Sequence, residues 1–280
     1  MSQERNILLP LSARSLVAST LLGCHPPELP TRALVQMGML YRIPEGTLRV
    51  ALSRMLSAGE LEAVDGGYRL TGPLLGRQAR QEEGWRPVLR AWNGGWVMAV
   101  VTAASRSAAA RAELRAAMTA LRLAELREGV WLRPDNLDPQ RLPSARAVVA
   151  AQCRWFDAHS LGDAPAVARL VSELWDLAGW ARRAEKLRRE MDRLVDRVEA
   201  GDHVALGPTG LVSAAVLRHF VHDPLLPPQL LPPSWPGDSL RTEYARFNTA
   251  LRRLFAAWAR EQRAPAKESA GRRARIAPPA

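Results

Sequence analysis

The chain has 280 residues, 47% hydrophobic and 24% charged, which are the values of a globular protein with room for two or three domains and exclude a disordered chain. Its formal net charge of +11 is arginine charge: 37 of the 39 basic residues are Arg, with Lys186 and Lys267 the only lysines. Arginine's planar fork of donors suits phosphates and guanine edges, so the bias fits nucleic-acid binding, and equally a GC-rich genome. The two cysteines, Cys24 and Cys153, form no CxxC pair, which excludes a disulfide framework and a structural zinc site. With no signal peptide and no run of ~20 apolar residues, the expectation is a soluble, cytoplasmic protein without a membrane span.

Ser12 is placed to cap a first helix, Ala13–Leu22, with Leu16, Val17, Thr20 and Leu21 on one face. The loop GCHPPELP breaks it. Thr31 opens a second helix with Leu34, Val35 and Met39 inward and Gly38 at a close helix contact; Tyr41-Arg42 is the turn. In IPEGTLRVALSRMLS, Pro44 occupies a first helical position, where its missing N–H costs nothing. Leu48, Leu52, Met55 and Leu56 form the apolar stripe, and Thr47, Arg49, Val50, Ser53 and Arg54 lie opposite. Gly59 ends this helix. Leu61–Val64 and Tyr68–Leu70 read as two strands joined by Asp65-Gly66-Gly67. Three helices and a hairpin in this order make a winged helix-turn-helix. Its third helix can enter a DNA major groove with Arg49 and Arg54 as the long donors, the plainer alternative being a surface helix with solvated arginines.

From Thr71 to Trp92 the chain is polar and basic, with Arg77, Arg80, Arg86 and Arg90, and reads as a linker helix. Trp96–Thr102 reads as a buried strand, Ser105 as the cap of a helix carrying Ala109, Leu114, Ala117, Met118 and Leu121, Gly129–Arg133 as a second strand and Ala145–Arg154 as a third. That order, without a nucleotide-binding glycine motif, suggests a small ferredoxin-like α+β domain. Beyond Gly162 the sequence is helical. Val167, Leu170, Val171, Leu174 and Trp175 form one stripe and Leu187, Met191, Leu194 and Val198 another, followed by helices over Leu211–Val221 and Leu240–Arg260. Between the last two, HDPLLPPQLLPPSWPGD is too proline-rich for a helix. It reads as an ordered strap packing its leucines and Trp235 on the helices, with an SH3-type ligand as the alternative. The tail after Gln262 has too little apolar content to fold. The expected divisions are a winged helix over 1–72, a linker helix over 73–94, a ferredoxin-like domain over 95–160, a helical domain over 161–262 and a basic tail over 263–280.

Enzyme signatures are missing. GPTG at Gly207–Gly210 lacks the Lys-Ser/Thr of a P-loop, and no G-x-S-x-G elbow occurs. His219 and His222, with Asp223 beside them, lack a third ligand for a metal, and no metal or cofactor is expected.

SARSLVASTLLG, LPTRALVQMGMLYRIPEGTLRVALSRMLSAGELE, REGVWLRPDNL and HDPLLPPQLLPPSWPG together resemble the PaaX family of bacterial transcriptional repressors, from about Ser12 to Trp258. The resemblance implies a mostly helical α+β protein with an N-terminal winged helix, a central domain similar to the Cas2 ferredoxin-like fold and a helical C-terminal domain. It implies a homodimer on a palindromic DNA operator, released by an aryl-acetyl coenzyme A thioester, typically phenylacetyl-CoA, in aromatic acid catabolism. By that match Thr47, Arg49, Val50, Ser53 and Arg54 lie in the DNA-reading helix and Tyr68-Arg69 in the wing, with Thr31 and Arg32 added at the start of the preceding helix. The chain departs from the family pattern at Pro44, where members usually offer a serine-like cap. The likeness to Cas2 nucleases does not extend to chemistry, since Trp96–Ser107 contains no Asp or Glu to hold their metal ion. An acyl-CoA needs cations for its phosphates and an apolar slot for its acyl group. Arg127, Trp131, Arg133 and Asn136, facing His219, His222 and Trp235 near the strap, are the candidate residues. Rival readings are a family member with another effector and pathway, a scaffold recruiting a protein through the strap, and an acyl-CoA-handling enzyme fused to a DNA-binding domain.

Overall fold

The structure is a computed structural model that describes residues 8–74, 85–159 and 161–263. Arg77, Arg80 and the basic tail lie outside those residues. The chain divides into two compact units. One comprises residues 85–193 and 212–246, the other residues 9–74, 194–211 and 247–263.

The second unit begins with α1 (Ala13–Leu22), capped by Ser12, whose hydroxyl accepts from the Ser15 N–H. Then come β1 (Glu28–Pro30), α2 (Thr31–Leu40), α3 (Glu45–Ser57), β2 (Leu61–Val64) and β3 (Gly67–Leu70). The hairpin turn is Asp65-Gly66, with Gly66 at φ 67°, a conformation that a Cβ disfavours. Sequence reading missed β1. It pairs antiparallel with β3, making the wing a three-stranded sheet in the order β1-β3-β2. A three-residue strand beside two prolines carries no alternation to detect.

Two expected core positions turn outward. Met39 is 60% exposed, while Ala33, Leu34, Met37 and Gly38 are buried on α2; Leu56 is 40% exposed, while Leu48, Leu52 and Met55 form the buried stripe of α3. In both cases the stripe is narrower than apolar type suggested. Pro44 is the residue flanking α3 rather than its first, and it offers the helix no side-chain cap. Gly38 packs under Leu48 as expected. The core of this unit also takes in the end of α7 (Leu177–Glu199), the start of α8 (Leu206–Val221) and the end of α9 (Gly237–Arg263), through Val198, Leu206, Leu254 and Trp258. The α8 backbone comes so close to the Leu40 carbonyl that Gly207 leaves no space for a Cβ, and the Tyr41 hydroxyl donates to the Leu206 carbonyl at 3.2 Å.

The first unit contains β4 (Trp96–Val101), α4 (Ala108–Ala120), β5 (Ala124–Arg127), β6 (Val130–Pro134), α5 (Pro143–Ala150) and β7 (Cys153–Ala158). The βαββαβ order and an all-antiparallel sheet in the order β5-β6-β4-β7 are those of a ferredoxin-like fold. Four expectations are corrected. The cap of α4 is Ser107, not Ser105, and Ala109 faces solvent. Ala145–Arg154 is not a strand: Pro143 opens α5 at a position suited to proline, and the strand starts at Cys153. The short, largely exposed β5 escaped notice because it has no buried alternation. Residues 86–94, assigned to a linker helix, contain no helix, only an isolated bridge from Leu89 to Leu137.

Alternation along the strands sends Ala99 and Trp131 to the α4–α5 side of the sheet and Trp96 and Leu132 to the other. That second face is covered by α6 (Ala164–Leu174) and by the strap, whose Leu226 is buried with Val171 and whose Leu230 and Leu231 pack alongside. The strap is an extended path with one 3-10 turn at Pro228–Leu230. The 19-residue helical run His203–Val221 is long and apolar enough to cross a membrane by composition, and 56% of its apolar window is buried inside the protein.

Candidate nucleic-acid interface

Five of the nine candidate DNA contacts lie on one surface. The buried Leu48, Leu52 and Met55 turn the opposite side of α3 to solvent, exposing Thr47, Arg49, Val50, Ser53 and Arg54. Val50 is 51% exposed, an apolar group with nothing to cover it within the helix, and of a kind that contacts thymine methyls. Arg49 is held along the helix by Glu45, Nε to Oε1 at 2.7 Å. The Arg54 side chain is exposed and makes no ion pair among the described residues.

The other four are engaged locally. Thr31 donates through its N–H (3.0 Å) and hydroxyl (3.3 Å) to the Gly66 carbonyl, fixing the start of α2 to the hairpin turn. Arg32 donates to the Gln262 carbonyl at 2.9 Å. Tyr68 packs against the core of its unit. Arg69 lies across the sheet between Glu28 and Glu62, at 2.6 and 2.7 Å. One basic residue escaped the sequence reading: Arg42, exposed in the turn between α2 and α3 at φ 57°. In the sequence it is only a turn residue, and its positive φ is visible in the structure alone.

The residues proposed to receive an effector do not form one open site. Arg127 is exposed at the end of β5, and Trp131 is buried in the core between the sheet, α4 and α5. Arg133 is 3% exposed and Asn136 1%. The Arg133 guanidinium donates to the Pro134 carbonyl (2.9 Å), to Asn136 Oδ1 (2.6 Å) and to the Leu225 carbonyl (3.2 Å). The Asn136 amide donates to that same carbonyl at 3.0 Å. Both side chains therefore clamp the strap. Burial, reinforced by Arg141 and Arg122, pushes Arg133 down to about 9.

His219, Trp180 and Trp235 form a three-ring stack, with Trp180 in the middle at 4.2 Å from His219 and 4.5 Å from Trp235. Burial, with Arg183, His222 and Arg241 adding repulsion, pushes His219 down to about 4; burial also lowers His222. Asp223 turns to Arg241 at 2.6 Å, and among the described residues no group of three His, Cys, Asp or Glu gathers to hold a metal.

Three family models cover most of the chain. Residues 12–74 match that of the PaaX-like protein, residues 89–167 the PaaX protein central Cas2-like domain, and residues 175–261 the PaaX-like protein C-terminal domain. Among solved structures, the uncharacterized protein Rv0674 from Mycobacterium tuberculosis is 42% identical, with a TM-score of 0.69 over 88% of this chain and 98% of that one. No curated protein is significantly similar.

Proposed function

The chain belongs to the PaaX family of transcriptional regulators, and from that membership we propose that it is a cytoplasmic repressor that leaves its operator when an aryl-acetyl coenzyme A thioester such as phenylacetyl-CoA binds. PaaX-family proteins are DNA-binding regulators rather than enzymes. As a homodimer the protein presents two copies of α3 to the half-sites of a palindrome, and the thioester favours a dimer geometry in which they no longer match that spacing. The observation that carries the reading is the outer face of α3, where Thr47, Arg49, Val50, Ser53 and Arg54 sit together and exposed. Leu225, Leu226 and Pro227 of the strap are buried, whereas Pro228, Pro232 and Pro233 are exposed, so the reading rests on α3 and not on the strap.

Fluorescence anisotropy on the DNA upstream of its own gene, at stated salt, tests this reading. Tight specific binding is expected, reversed by phenylacetyl-CoA but not by phenylacetate or coenzyme A alone. Arg54→Ala is expected to weaken it by ~1–3 kcal/mol. Specific binding that ignores the thioester overturns the effector; a folded Arg54→Ala variant with wild-type affinity removes Arg54 from the interface.

A further inference from the structure

The outer face of α4 has a composition that its packing does not require. Leu114, Ala117 and Met118 form its buried stripe. On the exposed side, alanine recurs at every fourth position, Ala108, Ala112, Ala116 and Ala120, where a solvated helix face ordinarily carries charged and polar groups. These alanines floor a groove of about 860 Å³, within the size range of small-molecule sites.

Four arginines line the same groove. Arg111 and Arg115 stand one turn apart on α4, Arg122 follows the end of that helix and Arg141 precedes α5; no acidic side chain lines the groove among the described residues. Three of the four are tied to backbone, and Arg111 donates to the Arg106 carbonyl at 2.9 Å. Arg141 donates to the Ala120 carbonyl at 2.9 Å and the buried Arg122 to the Phe220 carbonyl at 3.2 Å. Arg122 also sits at φ 65°, unfavourable for any residue with a Cβ. Arg111 and Arg115 are like charges one turn apart with no acidic side chain lining the groove among the described residues, and bound phosphate relieves their repulsion. A purely ionic partner would not need a bare alanine floor, and a purely apolar one would not need the arginines.

We propose that this groove binds an amphiphilic phosphoester, its phosphates on Arg111, Arg115, Arg122 and Arg141 and its apolar part on the alanine floor. Resting on the function proposed above, this is the thioester's site, in place of the residues around the strap.

Isothermal titration calorimetry on the full chain tests it, with phenylacetyl-CoA, coenzyme A and inorganic pyrophosphate as probes. Arg111→Glu with Arg115→Glu, both exposed, is expected to weaken phenylacetyl-CoA and coenzyme A at least about tenfold. Ala112→Trp, which fills the floor, is expected to block phenylacetyl-CoA, whereas Arg169→Glu on α6 changes nothing. Operator affinity without ligand should stay at the wild-type level in all three. Undiminished thioester binding in both groove variants overturns the assignment and leaves the repressor reading standing. Pyrophosphate bound through these arginines without any thioester binding keeps the groove as a phosphate site and overturns the effector reading; binding of none of the probes overturns both. Loss of operator affinity in the ligand-free double variant would assign the arginines to DNA phosphates and overturn the small-ligand site.

Discussion

His219 shows what one buried side chain does to the pH response of the whole protein. Its ring stacks on Trp180, with Arg183, His222 and Arg241 as the charged or titratable groups around it, and it holds a proton only below about 4. In the unfolded chain a histidine binds its proton near 6.5. Between those values the unfolded state binds more protons, so stability is full above about 6.5 and falls as pH drops towards 4. From pH 7 to pH 5 the loss attributable to His219 is about 2 kcal/mol. Urea unfolding at the two pH values should show it. His219→Phe, which keeps a ring on Trp180, should flatten the dependence, leaving the smaller part due to His222. Equal slopes in the two proteins would rule out His219 as the source. In the sequence this pair lacks a third ligand for a metal and reads as effector contacts, because residue type and spacing are visible there. The ring that stacks on His219, Trp180, lies 39 positions away and is itself backed by Trp235, and no local pattern contains that burial.

At the scale of elements, the strap packs Leu226, Leu230 and Leu231 on one face of the ferredoxin-like sheet and is clamped to it at one carbonyl. Leu225 accepts from both Arg133 and Asn136, and Asn136 in turn accepts from Arg133. Asn136→Leu keeps the volume but removes the acceptor for a buried cation and one of the two side-chain donors to Leu225. A loss of ~2–3 kcal/mol follows, because the charged partner keeps its desolvation penalty. Thermal unfolding is the measurement, and at 2–4 °C per kcal/mol for a chain of this size the midpoint should fall by roughly 4–12 °C. An unchanged midpoint would mean that the clamp contributes nothing. The elements legible in the sequence are those whose apolar period survives in the fold: α1, the buried stripe of α3, β4 and the stripes of α6 and α7. The illegible ones are edges. β1 and β5 are short and exist through their partners, and Val148-Val149 in α5 looked like strand because both residues favour it; Pro143 and the sheet register decide otherwise. The same limit applies to sites. The exposed face of α3 followed from the position of its buried stripe, whereas Arg133 and Asn136, chosen as ligand contacts for their chemistry, proved to be enclosed by the strap far along the chain.

For the molecule as a whole, the consequential feature is that the winged helix is not closed by its own sequence. Leu16, Leu34, Leu48 and Leu52 share a core with Leu206, Leu254 and Trp258, and Phe255 packs at its edge. Each large apolar side chain fully buried contributes about 1.5–3 kcal/mol, so the C-terminal residues together supply an amount comparable to the ~5–15 kcal/mol that a typical domain has in total. Residues 9–74 alone therefore should not form a stable reading head, although they contain every helix and strand of a winged helix. Circular dichroism of that fragment is expected to show a broad or absent thermal transition, against a cooperative one in the full chain. Within the full chain, Trp258→Ala should cost ~3–5 kcal/mol despite lying some 200 residues from α3. A fragment that melts cooperatively at the temperature of the full chain would show that the shared core is dispensable. The opposite result would place the support of α3 in the ends of α7, α8 and α9, where a change in those helices reaches the exposed face of α3 through packing alone.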